Sequence, residues 1–597
     1  MEQAVKRAVG CRSQHWLAAG LVLLFAAVAL VATQPTQADA TLPTFAVSTV
    51  EETEVEAAGV EPTEAEAAVI ANDPFGAWSE VGPWPLVAIH AAVLDNGKVL
   101  SYTGTGDTLL VDIWDPSLGL GANSHSTFNN TLGSNLFCSF TLDDPNSENK
   151  LLVGGEIADG QVPNFVAQYG DNTLSAFQSM NEPRWYPTVT TLWDGRLLAQ
   201  GGTPGNFDNR DDPTPVAEVY SPDNGWQLLE GTRDPGVWDT ENYGWWYPKS
   251  HVTPSGKVWN LAWDQMYYID PDGAGAVDLI DTFAGGNRGG SSSSVMYDTG
   301  LVLQIGGGER GSDDRRFLGS NAATIFNLNY DPPILTEAAP MNFGRHWADA
   351  TVLPDGRVLV TGGSLVNNRL DDTTLPPEIW DPKTDSWTVL TGNNTPRLYH
   401  STTLLMPDGS VLTAGGGKSG PVDNFNGQLF YPPYLYDADG SQATRPTIEA
   451  APRNIEYNQS ISVTVDGPID RVTLIKQSNS THSMNSQIFS ELSFSQTGSQ
   501  LSIETPDYAT VATPGEYLLF VLDSNGVPSV SRTVRLTGVG LDPPPPLEPL
   551  AATVTGLVDR VGGGAVAGVS IDLFEATADG ARGQWLTSTA TDSDGTY

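Results

Sequence analysis

A repeated pattern of short strands constrains the fold of this chain more than any other feature. From Trp78 to about Tyr436 one order recurs: an apolar strand, a turn built on Asp-Gly or a similar pair, a second apolar strand and a glycine doublet. The clearest copies span residues 188–202, 349–363 and 401–417. Each copy forms one small sheet that cannot bury its faces alone, so the copies must pack against one another.

The glycine doublets indicate how many copies there are. Their spacing is near the roughly 50 residues of a kelch repeat. They lie at Gly154-Gly155, Gly201-Gly202, Gly306-Gly307, Gly362-Gly363 and Gly415-Gly416. Weaker copies around Asn96-Gly97 and Ser255-Gly256 bring the total to seven. The sequence therefore predicts an all-β chain in which residues 75–438 form a seven-bladed kelch-like β-propeller, with the innermost strand of each blade lining a central channel.

Before the repeats, residues 1–40 have the order of a signal peptide. Basic residues precede an apolar run at residues 17–32, and Ala38-Asp39-Ala40 supplies a cleavage site. The run is shorter than the roughly 20 residues that a membrane-spanning helix needs. We therefore expect a secreted protein without a membrane span after cleavage, and an uncleaved anchor is the alternative. The acidic, alanine-rich residues 41–74 predict a disordered stalk.

After the repeats, the hydrophobic pattern changes. Alternating strands predict an immunoglobulin-like β-sandwich over residues 439–538. The proline-rich residues 539–550 are expected to form a linker. Residues 551–597 resemble the start of a carboxypeptidase-regulatory-like β domain, which implies a partial second sandwich.

The charge of the chain excludes one class of partner. The sequence has 71 acidic against 29 basic residues, for a formal net charge of −42. Such a surface repels nucleic acid, and no basic cluster offsets it. We expect a monomer that acts on small molecules.

One thiol stands out in a chain that is expected to be exported. Cys138 has no partner for a disulfide, because Cys11 falls within the predicted signal peptide. An unpaired cysteine in a secreted protein needs a reason.

The repeat register brings further candidates together. Tyr186 lies eight positions before the aspartate of its Asp-Gly turn, and His400 lies eight positions before that of its own turn. Equivalent positions at the start of inner strands converge near the axis of a propeller. Tyr247 and Trp347 share this register and are candidates for the wall of the cavity.

Four phrases resemble the site of the copper radical oxidases, the galactose oxidase and glyoxal oxidase family. They are Arg184-Trp185-Tyr186, Arg397-Leu398-Tyr399-His400, Thr481-His482-Ser483 and the surroundings of Cys138. The resemblance covers roughly residues 75–537 and follows the order of the family. A Tyr-His pair alone would be a weak signal, whereas four phrases in order, each in its expected blade or domain, are specific.

The resemblance implies a role for each of these residues. Tyr186 would bind copper and carry a thioether cross-link to Cys138. Tyr399 would be an axial ligand and the base, and His400 an equatorial ligand. His482 would complete the site from a loop of the sandwich that enters the channel.

These donors suit the metal that the resemblance implies. Two imidazoles and two phenols form a nitrogen and oxygen set appropriate to tetragonal Cu(II). Because a single copper moves one electron and the oxidation of an alcohol or aldehyde needs two, a second carrier is required. The cross-linked Cys138-Tyr186 pair would be this radical cofactor.

The expected reaction reduces O2 to H2O2 and oxidises a small aldehyde as its hydrate or, as second choice, a primary alcohol. The residues around Tyr186 and His482 resemble those of glyoxal oxidases more closely than those of galactose oxidases. In galactose oxidase a tryptophan just past the glycine doublet stacks over the cross-linked tyrosine, whereas residues 201–205 here contain no aromatic residue. The predicted pocket wall consists of Tyr247, Trp347, His346 and Phe207.

One alternative function remains open from the sequence, and three further histidines need an interpretation. The propeller could be a non-catalytic extracellular module that binds glycans or proteins, since most kelch propellers bind rather than catalyse. His90, His251 and His346 fall near strand starts, and we expect them to be hydrogen-bonded structural histidines, with His346 also placed to face the cavity.

Overall fold

The computed structural model describes residues 75–103, 109–156, 164–204, 212–238, 243–308, 318–437, 439–538 and 540–547, together with three strands nearer the ends of the chain. The chain divides into two compact units, one of residues Gly59–Glu548 and one that combines Met1–Ala58 with Pro549–Tyr597. The described parts of both units consist of strands, with short 3-10 turns in the larger one. Those turns are Pro116–Leu118, Ala122–Ser124, Glu230–Thr232, Leu370–Asp372 and Pro433–Leu435. The prediction of an all-β chain is thus confirmed.

Seven four-stranded antiparallel sheets form the blades of the propeller. Blades 1 to 3 have these strands, from the innermost outward: His90–Val93, Val99–Tyr102, Leu110–Trp114 and His125–Asn129; Phe140–Asp143, Lys150–Val153, Val166–Gly170 and Thr173–Ala176; Trp185–Thr191, Leu197–Thr203, Ala217–Ser221 and Gly225–Leu229.

Blades 4 to 6 continue in the same order. Their strands are Lys249–Val252, Val258–Ala262, Gln265–Asp270 and Ala276–Thr282; Ser292–Asp298, Leu301–Gly306, Ala323–Asn327 and Ile334–Ala338; Asp349–Val352, Val358–Thr361, Glu378–Asp381 and Ser386–Val389.

Blade 7 closes the ring by combining both ends of the propeller sequence. It contains Ser401–Leu405, Val411–Gly415 and Asn426–Tyr431, and its outer strand is Ala77–Trp78. Gly82–Pro83 pairs with the same strand, Asn426–Tyr431. Because the first strand of the propeller lies on the last blade, the ring is held by backbone hydrogen bonds rather than by packing alone.

The glycine doublets contact the segment that leads into the next blade. Gly202 donates its N–H to the carbonyl of Trp245 in the next segment (2.7 Å), and Gly363 does the same to Arg397 (2.7 Å). Gly201 and Gly202 have φ angles of +65° and +84°, and a Cβ on Gly201 would lie 2.7 Å from the Trp245 oxygen. Only glycine fits this contact, which explains why the doublet recurs.

A buried arginine just before an inner strand braces several blades. Arg184 of blade 3 pairs with Glu218 (3.1 Å) and Arg345 before blade 6 pairs with Glu378 (2.9 Å), all four side chains being fully buried. Each arginine also donates to the carbonyl of the first glycine of the doublet, at 2.8 Å and 2.7 Å. These bonds hold the segments that lead into the channel.

The sandwich consists of two sheets around an aliphatic core. One sheet contains Ile448–Ala450, Ser460–Val465, Gln500–Glu504 and Phe494–Thr497. The other contains Asn454–Glu456, Arg532–Thr537, Gly515–Leu522, Arg471–Lys476 and Met484–Glu491.

A hairpin of the sandwich enters the propeller channel. Its strand Asn479–Thr481 pairs with the inner strand of blade 1, where Thr481 faces His90. Met484, at the start of its second strand, pairs with Ser294 of blade 5. The tip of the hairpin is His482-Ser483, and both residues have positive φ angles (49° and 62°).

The smaller unit contains a three-stranded antiparallel sheet. Phe45–Ser48 pairs with Ser570–Ala576, which pairs with Arg582–Ala590. Four residues of the predicted stalk therefore form a strand, and their aromatic and β-branched content suits one. The predicted signal peptide lies outside the described residues. Within the described part of the chain, no helix has the length and apolar character needed to cross a membrane.

Candidate metal centre

Four blades contribute a side chain from the same strained backbone position. Tyr186, Tyr247, Trp347 and His400 have φ angles of 67°, 38°, 60° and 70°. These are the four residues that share one register in the sequence. Bulky residues rarely adopt positive φ, and such strain persists only where the surroundings hold it, typically at functional sites.

Backbone hydrogen bonds connect these positions around the channel. The Tyr186 N–H donates to the Cys138 carbonyl (3.0 Å), and the Tyr247 N–H donates to the Tyr186 carbonyl (3.2 Å). Cys138 itself has a φ of 56°. The backbones of Cys138, Tyr186 and Tyr247 are thus linked from blade to blade by these hydrogen bonds, independently of their side chains.

The side chains of these residues meet the hairpin tip. The ring of His482 lies 5.2 Å from that of Tyr186 and 4.4 Å from that of His400, between centroids. Its Nε2 is 3.4 Å from the sulfur of Cys138. Cys138, His400 and His482 are all buried, and their ligand atoms lie within 4.8 Å of one another. A metal ion could bind among them.

Two phenols lie beside this cluster. The hydroxyl oxygens of Tyr186 and Tyr399 are 2.9 Å apart and hydrogen-bonded. The ring of Tyr399 stacks on that of His400, with centroids 3.8 Å apart. Burial raises the pKa of both phenols well above the usual value, and burial likewise raises the pKa of the Cys138 thiol. Without a cation, all three groups therefore keep their protons at neutral pH.

Both imidazoles have a nitrogen available for a metal. His400 Nδ1 donates to the carbonyl of Lys418, which leaves Nε2 unprotonated, buried and without a hydrogen-bond partner among the described residues. His482 Nδ1 contacts the hydroxyl of Thr481 at 2.5 Å. Burial lowers the pKa of His400 to about 3 and that of His482 well below its usual value, so both rings are neutral. A neutral imidazole whose other nitrogen is fixed is the usual form of a metal-bound histidine.

The residues predicted for the pocket wall lie in different places. Tyr247 is buried, its ring 5.0 Å from that of Tyr186, and its hydroxyl donates to the Ser139 carbonyl (2.9 Å). Trp347 lies 4.3 Å from the ring of Tyr399. His346 is buried and bonds Ser291 through Nδ1 (2.8 Å). Phe207 lies outside the described residues.

A tryptophan outside the predicted pocket wall, Trp246, contacts Tyr186. Thr203 and Pro204, which follow the doublet, carry no aromatic ring, but the half-buried Trp246 lies 4.8 Å from Tyr186 between centroids, at an interplanar angle of 46°. The ring of Trp185 meets that of Tyr186 edge-on, with centroids 4.3 Å apart. An aromatic neighbour of Tyr186 therefore comes from the connection between blades 3 and 4 rather than from residues 203–204. The aromatic run Trp245-Trp246-Tyr247 is the sequence feature that indicates such a contact.

Comparison with known proteins agrees with this arrangement. Residues 108–434 match the family described as Glyoxal oxidase N-terminus, and residues 445–536 match the Galactose oxidase-like, Early set domain. The fold and the site define a copper radical oxidase, an oxidoreductase that uses O2. The chain belongs to the glyoxal oxidase family.

Named relatives include two kinds of oxidase. Galactose oxidase of Gibberella zeae is 29% identical over 500 residues, which cover 78% of this chain and 71% of the relative. Aldehyde oxidase GLOX of Vitis pseudoreticulata is 28% identical over 395 residues, which cover 59% and 72%. A solved fungal alcohol oxidase of the AA5 family, in complex with copper, has the same fold, with a TM-score of 0.69, 24% identity and coverage of 78% of this chain and 100% of that one.

Proposed function

We propose that this chain is an exported oxidase that converts small aldehydes, as their hydrates, or primary alcohols into their oxidised products and reduces O2 to H2O2. The observation that carries the proposal is the pair of phenol oxygens, Tyr186 and Tyr399, 2.9 Å apart beside the unpartnered Nε2 of His400. Export is supported by the signal-peptide pattern of residues 1–40.

Four residues would hold the copper: Tyr186, Tyr399, His400 and His482. Their two neutral imidazoles and two phenols fit Cu(II), which favours such nitrogen and oxygen donors. When bound, copper supplies a second one-electron acceptor and a position that binds the substrate oxygen.

Tyr186 and Cys138 would form the radical cofactor through a thioether between the sulfur and a ring carbon. Support comes from the burial of both side chains and from the 3.0 Å hydrogen bond between their backbones. A sulfur substituent makes a phenol easier to oxidise, so Tyr186 would be the residue that loses an electron.

Tyr399 would act as the base. Because burial raises its pKa, its phenolate is a strong proton acceptor once formed. It would take the proton of the substrate hydroxyl, and the Tyr186 radical would then take a hydrogen atom from the adjacent carbon. Trp246 and Trp185 would keep water away from that radical.

Aromatic rings from neighbouring segments restrict the substrate. The rings of Trp246 and Trp347 lie 6.2 Å apart, and Trp347 also contacts Tyr399. One misfit group in such a pocket costs about 1–3 kcal/mol of transition-state binding. We expect glyoxal, methylglyoxal or glycolaldehyde to exceed galactose by about tenfold in kcat/KM, equivalent to about 1.4 kcal/mol.

The test is a peroxide assay of the copper-loaded, oxidised protein with both groups of substrates, together with an absorption spectrum. A broad near-infrared radical band and peroxide release on aldehyde addition are expected. A clear preference for galactose would contradict the assigned substrate class. A protein that binds no copper and releases no peroxide would instead be a binding module.

A further inference from the structure

His90 is a third imidazole at this site, and its partner is the backbone of the cysteine. It lies on the inner strand of blade 1 and is fully buried. Its Nε2 accepts a hydrogen bond from the Cys138 N–H (3.1 Å). The ring stacks on Tyr102, with centroids 4.5 Å apart and planes 10° from parallel.

The acceptor role defines the form of the His90 ring. Nε2 must be unprotonated, so the hydrogen of the neutral ring is on Nδ1, which is buried and has no hydrogen-bond partner among the described residues. Leaving a buried donor unpaired is unfavourable, and an apolar side chain would avoid it. The imidazole therefore occupies a position where packing alone would favour an apolar side chain.

The hydrogen bond from Cys138 to His90 is one of several that hold residues Cys138 and Ser139 in place. The Cys138 carbonyl accepts from Tyr186 N–H (3.0 Å). The Ser139 hydroxyl is 2.8 Å from that of Tyr102, and the Ser139 carbonyl accepts from Tyr247 (2.9 Å). The Cys138 carbonyl is thus bonded to Tyr186, and the Cys138 N–H is bonded to His90. The positive φ of Cys138 (56°) depends on such restraints.

We infer that His90 is a positioning residue that holds Cys138 for formation of the thioether with Tyr186. The inference rests on the proposed function. In the step, the thiol S–H and one ring C–H of Tyr186 are lost and a sulfur–carbon bond forms. The two electrons and two protons released reduce one O2 to one H2O2. A thiol that samples other orientations reaches the ring less often, so the reaction slows.

The test follows cross-link formation by mass spectrometry after copper is added in air, as the loss of two hydrogen atoms from the linked peptides. His90→Leu removes the acceptor, and we expect cross-linking at least about tenfold slower, with copper still bound. His90→Gln places an amide oxygen near the Nε2 position and should restore most of the rate. His251→Leu is the matched control, because His251 is also buried but bonds Ser294 (3.1 Å).

Cross-linking of His90→Leu at the wild-type rate would overturn the inference. Should that variant fail to fold, the comparison of His90→Gln with His90→Asn decides, since both are neutral amides and only the longer one reaches Cys138; equal rates would then refute the role.

Hydrogen exchange of the copper-free protein separates this inference from the proposed function. We expect the Cys138 amide to exchange faster in His90→Leu and His90→Asn than in the wild type and in His251→Leu. Wild-type protein that never cross-links would refute the radical cofactor. Unchanged exchange at Cys138 would refute the role of His90.

Discussion

The hydroxyl oxygens of Tyr186 and Tyr399 lie 2.9 Å apart although 213 positions separate the two residues in the chain. Tyr186 lies on the inner strand of blade 3 and Tyr399 just before that of blade 7. Closure of the propeller therefore creates a donor pair that neither blade has alone. Because burial raises the pKa of both phenols, a metal must displace their protons in order to bind.

Copper affinity should consequently rise with pH. Each phenol that loses its proton on binding should increase the association constant by about tenfold per pH unit while it is protonated in the free protein. The imidazoles should not add to this above pH 5, because the pKa of His400 is about 3. Competition with a chelator of known proton affinity at pH 6, 7 and 8 measures the slope, and a flat response would exclude the phenols as ligands.

Replacing either of the proposed histidine ligands should weaken copper binding. His400→Ala and His482→Ala each remove a donor that the other cannot replace, since one comes from the propeller and the other from the sandwich hairpin. We expect substoichiometric copper after dialysis in each variant, measured by metal analysis. His251→Ala, which removes a buried imidazole bonded to Ser294, should retain one equivalent. Full copper content in the double variant would show that the metal lies elsewhere.

Cys138→Ser should separate metal binding from turnover. The substitution keeps a small polar side chain but cannot form a thioether, so copper content should be unchanged. We expect peroxide production to fall by at least about a hundredfold, a loss of about 2.7 kcal/mol in transition-state stabilisation. Quantitative alkylation of wild-type Cys138 after copper loading in air would contradict the cross-link directly.

Trp246→Phe should shorten the lifetime of the Tyr186 radical. The smaller ring leaves part of the phenol uncovered, because the half-buried Trp246 lies 4.8 Å from Tyr186 between centroids. We expect the near-infrared band of oxidised protein to decay about five- to tenfold faster, consistent with loss of a contact of about 1 kcal/mol. Trp387→Phe is the control, since this half-buried tryptophan of blade 6 donates to the carbonyl of Ala339, next to the outer strand of blade 5 (2.6 Å). Equal decay in both variants would show that Trp246 does not shield the radical.

The sequence predicted the propeller because its signals are local and repeated. A glycine doublet lies at five of the seven contacts between blades, as at Gly202 and Trp245, and it can be counted without a structure. The cover of Tyr186 could not be predicted in the same way. Trp246 directly precedes Tyr247, which shares the repeat register, but its contact with Tyr186 depends on how two neighbouring blades pack.

The contact between His90 and Cys138 could not be predicted from the sequence either. A histidine near a strand start predicts a hydrogen-bonded structural residue, which describes His251 and its contact with Ser294. That His90 accepts a hydrogen bond from the cysteine depends on the path of the loop before blade 2, and the composition of that loop does not determine its path.

Comparison of equivalent blades reveals a missing carboxylate in blade 7. Glu218 and Glu378 each pair with a buried arginine and also bind an asparagine, Asn181 and Asn342. In blade 7 the corresponding position is Gln428, whose amide oxygen is 3.4 Å from the side chain of Asn393.

Arg397, the buried arginine of blade 7, therefore has no carboxylate partner within the part of the chain that the structure describes. It donates to the Gly415 carbonyl (2.9 Å), while its Nε and Nη2 have no hydrogen-bond partner among the described residues. Burial lowers its pKa to about 9.

Gln428→Glu should supply this partner and stabilise the protein. In blades 3 and 6 the same geometry buries a complete pair, and a buried charge without its partner is destabilising by about 3–5 kcal/mol. We expect the urea midpoint of the copper-free protein to rise for Gln428→Glu at pH 7, and to fall for Glu218→Gln, which breaks the pair in blade 3. The gain should disappear in Gln428→Glu combined with Arg397→Met, because the new carboxylate then has no cation. A lower midpoint for Gln428→Glu alone would show that blade 7 does not place residue 428 within reach of Arg397.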